Sequence, residues 1–204
     1  MATGPSITIE DLDTLYENNE VCIGVNRVYL AFQKTKWRPK YYAISDPDVT
    51  FFWKNDILSL DVDAKFISDV AWNFSDSEVT SNMYKYHFIR RRKNEEIKFS
   101  EDFSKGGYMG DTVVYDVALQ LAVYMGFKEI YLLGTDCTTS AENKYFYDQY
   151  ITSNVKKYSL DVSNVMRAYE VARRYADEHG IKIYNATRGG NLEIFERVKF
   201  EYLF

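Results

Sequence analysis

Six short runs of aliphatic, β-branched and aromatic residues recur along the chain and alternate with stretches of helical period. That alternation leaves few architectures open. The runs are Val21-Cys22-Ile23-Gly24-Val25, Tyr41-Tyr42-Ala43-Ile44, Ala64-Lys65-Phe66-Ile67, Tyr86-His87-Phe88-Ile89, Glu129-Ile130-Tyr131-Leu132-Leu133 and Ile181-Lys182-Ile183-Tyr184. Between 160 and 178, Val162, Val165, Met166, Tyr169, Ala172, Tyr175 and Ala176 fall on one face of a helix, and Gly180 supplies its stop. Residues 112–124 form a second helix, apolar almost all round and therefore buried, which Gly126-Phe127-Lys128 turns straight into the most hydrophobic strand. Thr8 is placed to cap a third helix. The pattern predicts a single α/β domain over 1–204: a Rossmann-like, open, mostly parallel sheet with helices on both faces. One segment breaks it. At 84–103, Arg90-Arg91-Arg92-Lys93 followed by Asn94-Glu95-Glu96 reads as the solvated tip of a small inserted hairpin, the alternative being contact with an anionic acceptor or membrane surface.

Charge and composition narrow the partners. The net charge of −5 argues against nucleic acid. The longest uncharged apolar stretch, 117–127, falls short of the ~20 residues that a membrane-spanning helix needs. Cys22 and Cys137, in no metal-ligand spacing, read as free thiols of a cytoplasmic protein. The 18 tyrosines and 13 phenylalanines suit pocket walls as well as core.

In an open α/β sheet, ligands bind beyond the carboxyl ends of the strands. The polar residues at those exits are Asn26, Asp46, Asp136 and Asn185. Three glycine-bearing loops share that edge and offer backbone N–H groups to phosphate: Thr3-Gly4-Pro5-Ser6, the loop 106–112 ending in Asp111-Thr112, and Thr187-Arg188-Gly189-Gly190. None is a Walker A loop or a full dinucleotide fingerprint. His87 and His179 read as structural, so acid–base work would fall to Asp46, Asp136, Tyr145 or Asp148.

Gly4-Pro5-Ser6, 24–27, 37–42, Asp46, 111–113, 126–136 and above all Ile183-Tyr184-Asn185-Ala186-Thr187-Arg188-Gly189-Gly190-Asn191-Leu192-Glu193 make the chain resemble the MptE-like family. That family holds archaeal 6-hydroxymethylpterin diphosphokinases and bacterial proteins tied to surface polysaccharide. More distantly the chain resembles bacterial sialyltransferases that use CMP-sugars. The loop edge itself offers Thr112, Asn185 and Arg188 as nucleotide or phosphate contacts, and that likeness adds nucleotide contacts from Thr3, Gly4 and Ser6. The likeness also implies phosphate or ribose contacts from Asn26 and Asp46, and stabilisation of the leaving phosphate by Tyr145. The sialyltransferases carry a catalytic histidine before the last long helix; around 159–163 this chain has none.

Three functions follow from these readings. One is a transferase using a nucleotide-activated sugar, of CMP type, on a glycan or small-molecule acceptor in surface-polysaccharide synthesis, with no metal required. Another is a pterin diphosphokinase using ATP and Mg²⁺, with Asp46 and Asp136 as metal ligands. The last is a non-catalytic nucleotide-binding protein. The aromatic stretch Phe195, Val198, Phe200, Tyr202, Leu203, Phe204 is expected to dock on the core, a homo-oligomer contact being its alternative.

Overall fold

The computed structural model describes residues 1–92, 95–138 and 161–204. Chain order begins with α1 (Ile9–Glu17), β1 (Ile23–Val25), a 3-10 turn (Val28–Gln33), β2 (Tyr41–Ile44), α2 (Pro47–Phe52), α3 (Lys54–Leu58) and β3 (Ala64–Ser68). It continues with β4 (Met83–Tyr86), β5 (Phe88–Ile89) and β6 (Gly107–Tyr108). Then come a π-helical turn (Val114–Leu119) running into α4 (Gln120–Tyr124), β7 (Glu129–Leu132), α5 (Val162–Glu178), β8 (Lys182–Asn185) and β9 (Glu196–Arg197).

Every strand pairing among the described residues is parallel: β1-β2-β3-β4, β5-β6 and β7-β8-β9. What joins the first and third groups is the extended segment 1–4. Its Met1 N donates to Ile23 O (3.0 Å) and Val25 N donates to Met1 O (3.3 Å), the parallel pattern. On its other side Ala2 N donates to Leu133 O (2.8 Å) and Gly4 N to Gly134 O (2.9 Å). The strand order is thus β4-β3-β2-β1-(1–4)-β7-β8-β9, and the chain leaves segment 1–4 first toward one edge and later toward the other.

The period-2 alternation of the strands sorts their side chains onto two faces. Tyr42, Ile44, Ile67 and Met83 pack with Val49 and Ile57 of α2 and α3. Ala43 and Phe66 point the other way, into the core made by Val117, Leu121, Val165, Tyr169 and Ala172. Helices therefore cover both faces. The stripe expected over 160–178 is α5, with Val165, Ala168, Tyr169, Ala172 and Ala176 buried. Thr8 caps α1 as expected, in a reciprocal capping box with Asp11.

The hairpin expected over 84–103 is corrected by the strand pairing. Residues 83–86 pair in parallel with β3, and 88–89 pair in parallel with 107–108. Two strands running the same way cannot be joined by a tight turn. Nor is the basic run wholly solvated: Arg91 Nη2 donates to Asp111 Oδ2 (3.1 Å). The buried Gln120 carboxamide bonds both Tyr108 N and Tyr108 O, fastening β6 to the π-helical turn. At the C-terminus Phe195 and Phe200 dock on the core as expected, whereas Tyr202 is exposed. Among the described residues no helix is long and apolar enough to cross a membrane.

Candidate functional site

The chain reverses its winding direction at segment 1–4, which lies between the carboxyl ends of β1 and β7. Ser6 and Asp136 meet there: Ser6 Oγ donates to Asp136 Oδ2 (2.9 Å). The approach requires a glycine. A Cβ on Gly4 would lie 1.9 Å from Asp136 Oδ2 and 2.4 Å from Gly134 O. From the other side Asn191 N donates to Asp136 O (2.8 Å), and a Cβ on Gly190, at φ +71°, would lie 2.6 Å from that same oxygen. Burial pushes the Asp136 carboxyl above the ordinary carboxylate range, opposed by the Ser6 hydroxyl and backbone N–H bonds.

Asn26 leaves β1 beside this pair with a left-handed backbone (φ 50°). Its amide oxygen is buried and has no hydrogen-bond partner among the described residues. Asp111 (φ 64°) and Cys137 (φ 50°) are left-handed too, so three of the four non-glycine residues with this backbone among those described sit on one edge of the sheet. Such strain collects where a fold holds groups for use. The π-helical turn that follows 106–112 is a second local irregularity of that kind. The buried Tyr169 hydroxyl lies close enough to Thr112, Cys137 and Asp116 to be influenced by all three, which makes the edge continuous. Burial raises the Cys137 thiol to about 11, so it is no nucleophile near neutrality.

Asp116 is the residue that sequence reasoning missed. Fully buried, it accepts from Gly110 N (2.7 Å) and from Ser45 Oγ (3.2 Å), tying the 106–112 loop to the exit of β2. Burial raises its carboxyl to about 7. The available signal was a single carboxylate inside an apolar run.

The residues predicted from sequence divide into two groups. Thr3, Gly4, Ser6, Asn26, Thr112 and Asp136 line or support the edge just described. Asp46 stands at the exit of β2, where its Oδ1 caps α2 by accepting from Asp48 N (2.9 Å), and burial raises its carboxyl. Asn185 and Arg188 are committed elsewhere. The buried Asn185 amide donates to Leu192 O (2.7 Å) and accepts from Thr187 N (2.9 Å), bracing the loop after β8. Arg188 grips Asp11 with both terminal nitrogens (2.6 and 2.7 Å) and donates from Nε to Glu201 (2.8 Å). Tyr145 and Asp148 lie outside the described residues. Among those described, no three His, Cys, Asp or Glu side chains converge as a metal site.

No protein-family model matches the chain, and no curated protein matches it in sequence. A solved structure does match its fold. It is the structure of the MAf glycosyltransferase from Magnetospirillum magneticum AMB-1, with a TM-score of 0.61 at 15% identity. The match covers 99% of this chain and 33% of that one, so the chain spans about a third of that protein's length. At that identity the likeness establishes the α/β fold.

The Arg188 geometry carries its own prediction. Arg188→Ala would leave the buried Asp11 carboxylate without its cation. Because Arg188 is itself part-exposed, the loss is expected to be ~1–3 kcal/mol rather than the full cost of breaking a buried pair. Urea unfolding measures this. Unchanged stability together with lost nucleotide affinity would instead return Arg188 to the ligand.

Proposed function

We propose that the crevice between Gly4-Pro5-Ser6 and Gly134-Thr135-Asp136 binds a nucleotide, and that the chain acts as a transferase on a nucleotide-activated sugar. The observation that carries this reading is the reversal of winding at segment 1–4. It parts the loops on either side of the central strand, the place where open α/β sheets seat phosphorylated ligands. Three features of the crevice support it. Backbone approaches without a side chain at Gly4, the Asn26 amide oxygen lacks a partner, and Asp136 is held by Ser6. The fold neighbour is the MAf glycosyltransferase of Magnetospirillum magneticum AMB-1.

In this reading Asn26 orients the nucleotide while Asp111 N and Thr112 N face its phosphate, since the N–H groups of 106–110 are donated within the protein. Asp136 or Asp46 accepts the proton of the acceptor hydroxyl as that oxygen attacks the sugar carbon and the carbon–phosphate-oxygen bond breaks. A carboxylate whose pKa is raised toward neutrality is a better base than an exposed one. Stabilisation of the departing phosphate rests on positioned donors.

Thermal unfolding against CMP, CDP, UDP, GDP, ADP and ATP, each with and without Mg²⁺, tests this. A nucleotide at about 100 times its dissociation constant stabilises a fold by ~2.7 kcal/mol, which in a chain of this size raises Tm by about 5–10 °C. A metal-independent shift with a cytidine nucleotide is expected. A shift that needs both ATP and Mg²⁺ would point to diphosphoryl transfer instead, and no shift with any nucleotide would overturn the reading.

A further inference from the structure

Beside the crevice, on the far side of Asp111, a cleft of about 580 Å³ opens between the segment after β5 and one face of α5. That is the size of a small-molecule site, but its walls are ionic rather than apolar. Asn164, Arg167, Glu170 and Arg174 recur every three or four residues, so one stripe of α5 forms a wall. Arg91 closes the inner end. Its guanidinium is mostly covered, reaches Asp111 at 3.1 Å, and keeps its Nε buried with no partner among the described residues. Among those residues neither Arg167 nor Arg174 has a carboxylate within ion-pair distance, unlike Arg173, which has Asp177 at 3.8 Å. The Arg167 and Arg174 guanidinium groups thus face the cleft without a carboxylate at contact range, Arg167 donating to the Asn164 side-chain oxygen, and the Glu170 carboxylate stands between them as an acceptor.

We infer that this cleft seats the acceptor, and that the acceptor is an anionic sugar: a polyhydroxylated ring bearing a carboxylate or a phosphate. A planar guanidinium takes either anion through paired N–H donors, while a carboxylate such as Glu170 takes ring hydroxyls. A neutral sugar would leave the arginines unanswered, and a bare anion would leave Glu170 so. The position fits the role, because Asp111 belongs to the loop that Asp116 holds at Gly110 and that leads through Thr112 to the crevice. The assignment as acceptor seat rests on the proposed function; binding of an anionic sugar does not.

The test is calorimetric titration of the full chain at low salt with D-glucuronate, D-glucose 6-phosphate and D-glucose. Three proteins are compared: wild type, Arg167→Ala/Arg174→Ala, and Lys128→Ala/Lys182→Ala, which removes the same charge from exposed positions outside the cleft. Arg167 and Arg174 are exposed on α5, so their variant folds, and its Tm with and without CMP is measured alongside. At least one anionic sugar is expected to bind wild type tenfold or more tightly than glucose. The arginine variant should lose at least tenfold of that affinity, and the lysine control should keep it. Preference for glucuronate or for glucose 6-phosphate identifies the anion. No preference for either over glucose, or an equal loss in the lysine control, would overturn the inference. Anionic sugar binding in a wild-type chain that no nucleotide stabilises would retain the cleft while removing the crevice.

Discussion

Asp116→Asn is expected to flatten the pH dependence of stability between about pH 4 and 7. The Asp116 carboxyl has moved from its ordinary 3.8 to about 7, with burial as the largest cause. In that interval the folded chain holds a proton that the unfolded chain has released. Stability contributed by this group is therefore fully present below pH 3.8, falls as pH rises and is lost above about 7. At 1.36 kcal/mol per pH unit the interval amounts to about 4 kcal/mol, a large fraction of a typical folding free energy. Asparagine is neutral throughout, can still accept from Gly110 N and can donate to Ser45 Oγ, so the variant keeps the network without the proton. Asp46 and Asp136 are raised in the same direction, yet both proteins contain them and they cancel in the difference. Urea unfolding of both proteins from pH 4 to 8.5 measures it. Parallel curves would mean that Asp116 titrates in its ordinary range.

Gly4→Ala should produce the second large effect, in stability and binding together. A methyl group cannot stand 1.9 Å from a carboxylate oxygen and 2.4 Å from a backbone carbonyl. Either segment 1–4 moves off β7, breaking the Gly4 N to Gly134 O bond, or Asp136 turns away from Ser6. Overpacking of this kind costs ~3 kcal/mol, which would lower Tm by about 6–12 °C. Ser6→Ala separates the two consequences. It removes the hydroxyl without a clash, and should cost only ~1 kcal/mol by leaving Asp136 one donor short. If Gly4→Ala unfolds at the wild-type temperature and still responds to nucleotide, the close approach at the crevice is not required and the site is misplaced.

How much of this was legible beforehand depends on the range of each interaction. The cap of α1 could be read because Thr8 and Asp11 stand three residues apart. The apolar stripe of α5 could be read because helical period is a local property. Asn26, Asp46 and Asp136 could be placed at strand exits because each follows, within three residues, a run that has the look of a strand. Residues 84–103 misled for the same reason. The run of cations is a local signal for a solvated turn, while the partner strand at 107–108 and the Arg91–Asp111 contact lie elsewhere in the chain.

The amino-acid pattern on its own determined the alternation of strands and helices, the burial of the segment before β7, and which polar residues reach the carboxyl edge. All of these follow from side-chain periods of 2 and 3.6 acting over a few residues. Only the tertiary structure decided that residues 1–4 lie between β1 and β7. It alone paired Ser6 with Asp136 across 130 residues, committed Arg188 to Asp11 across 177, and gave Asp116 to Ser45 across 71. Contacts at such separations are selected by the packing of the whole sheet and leave no mark on the neighbouring sequence.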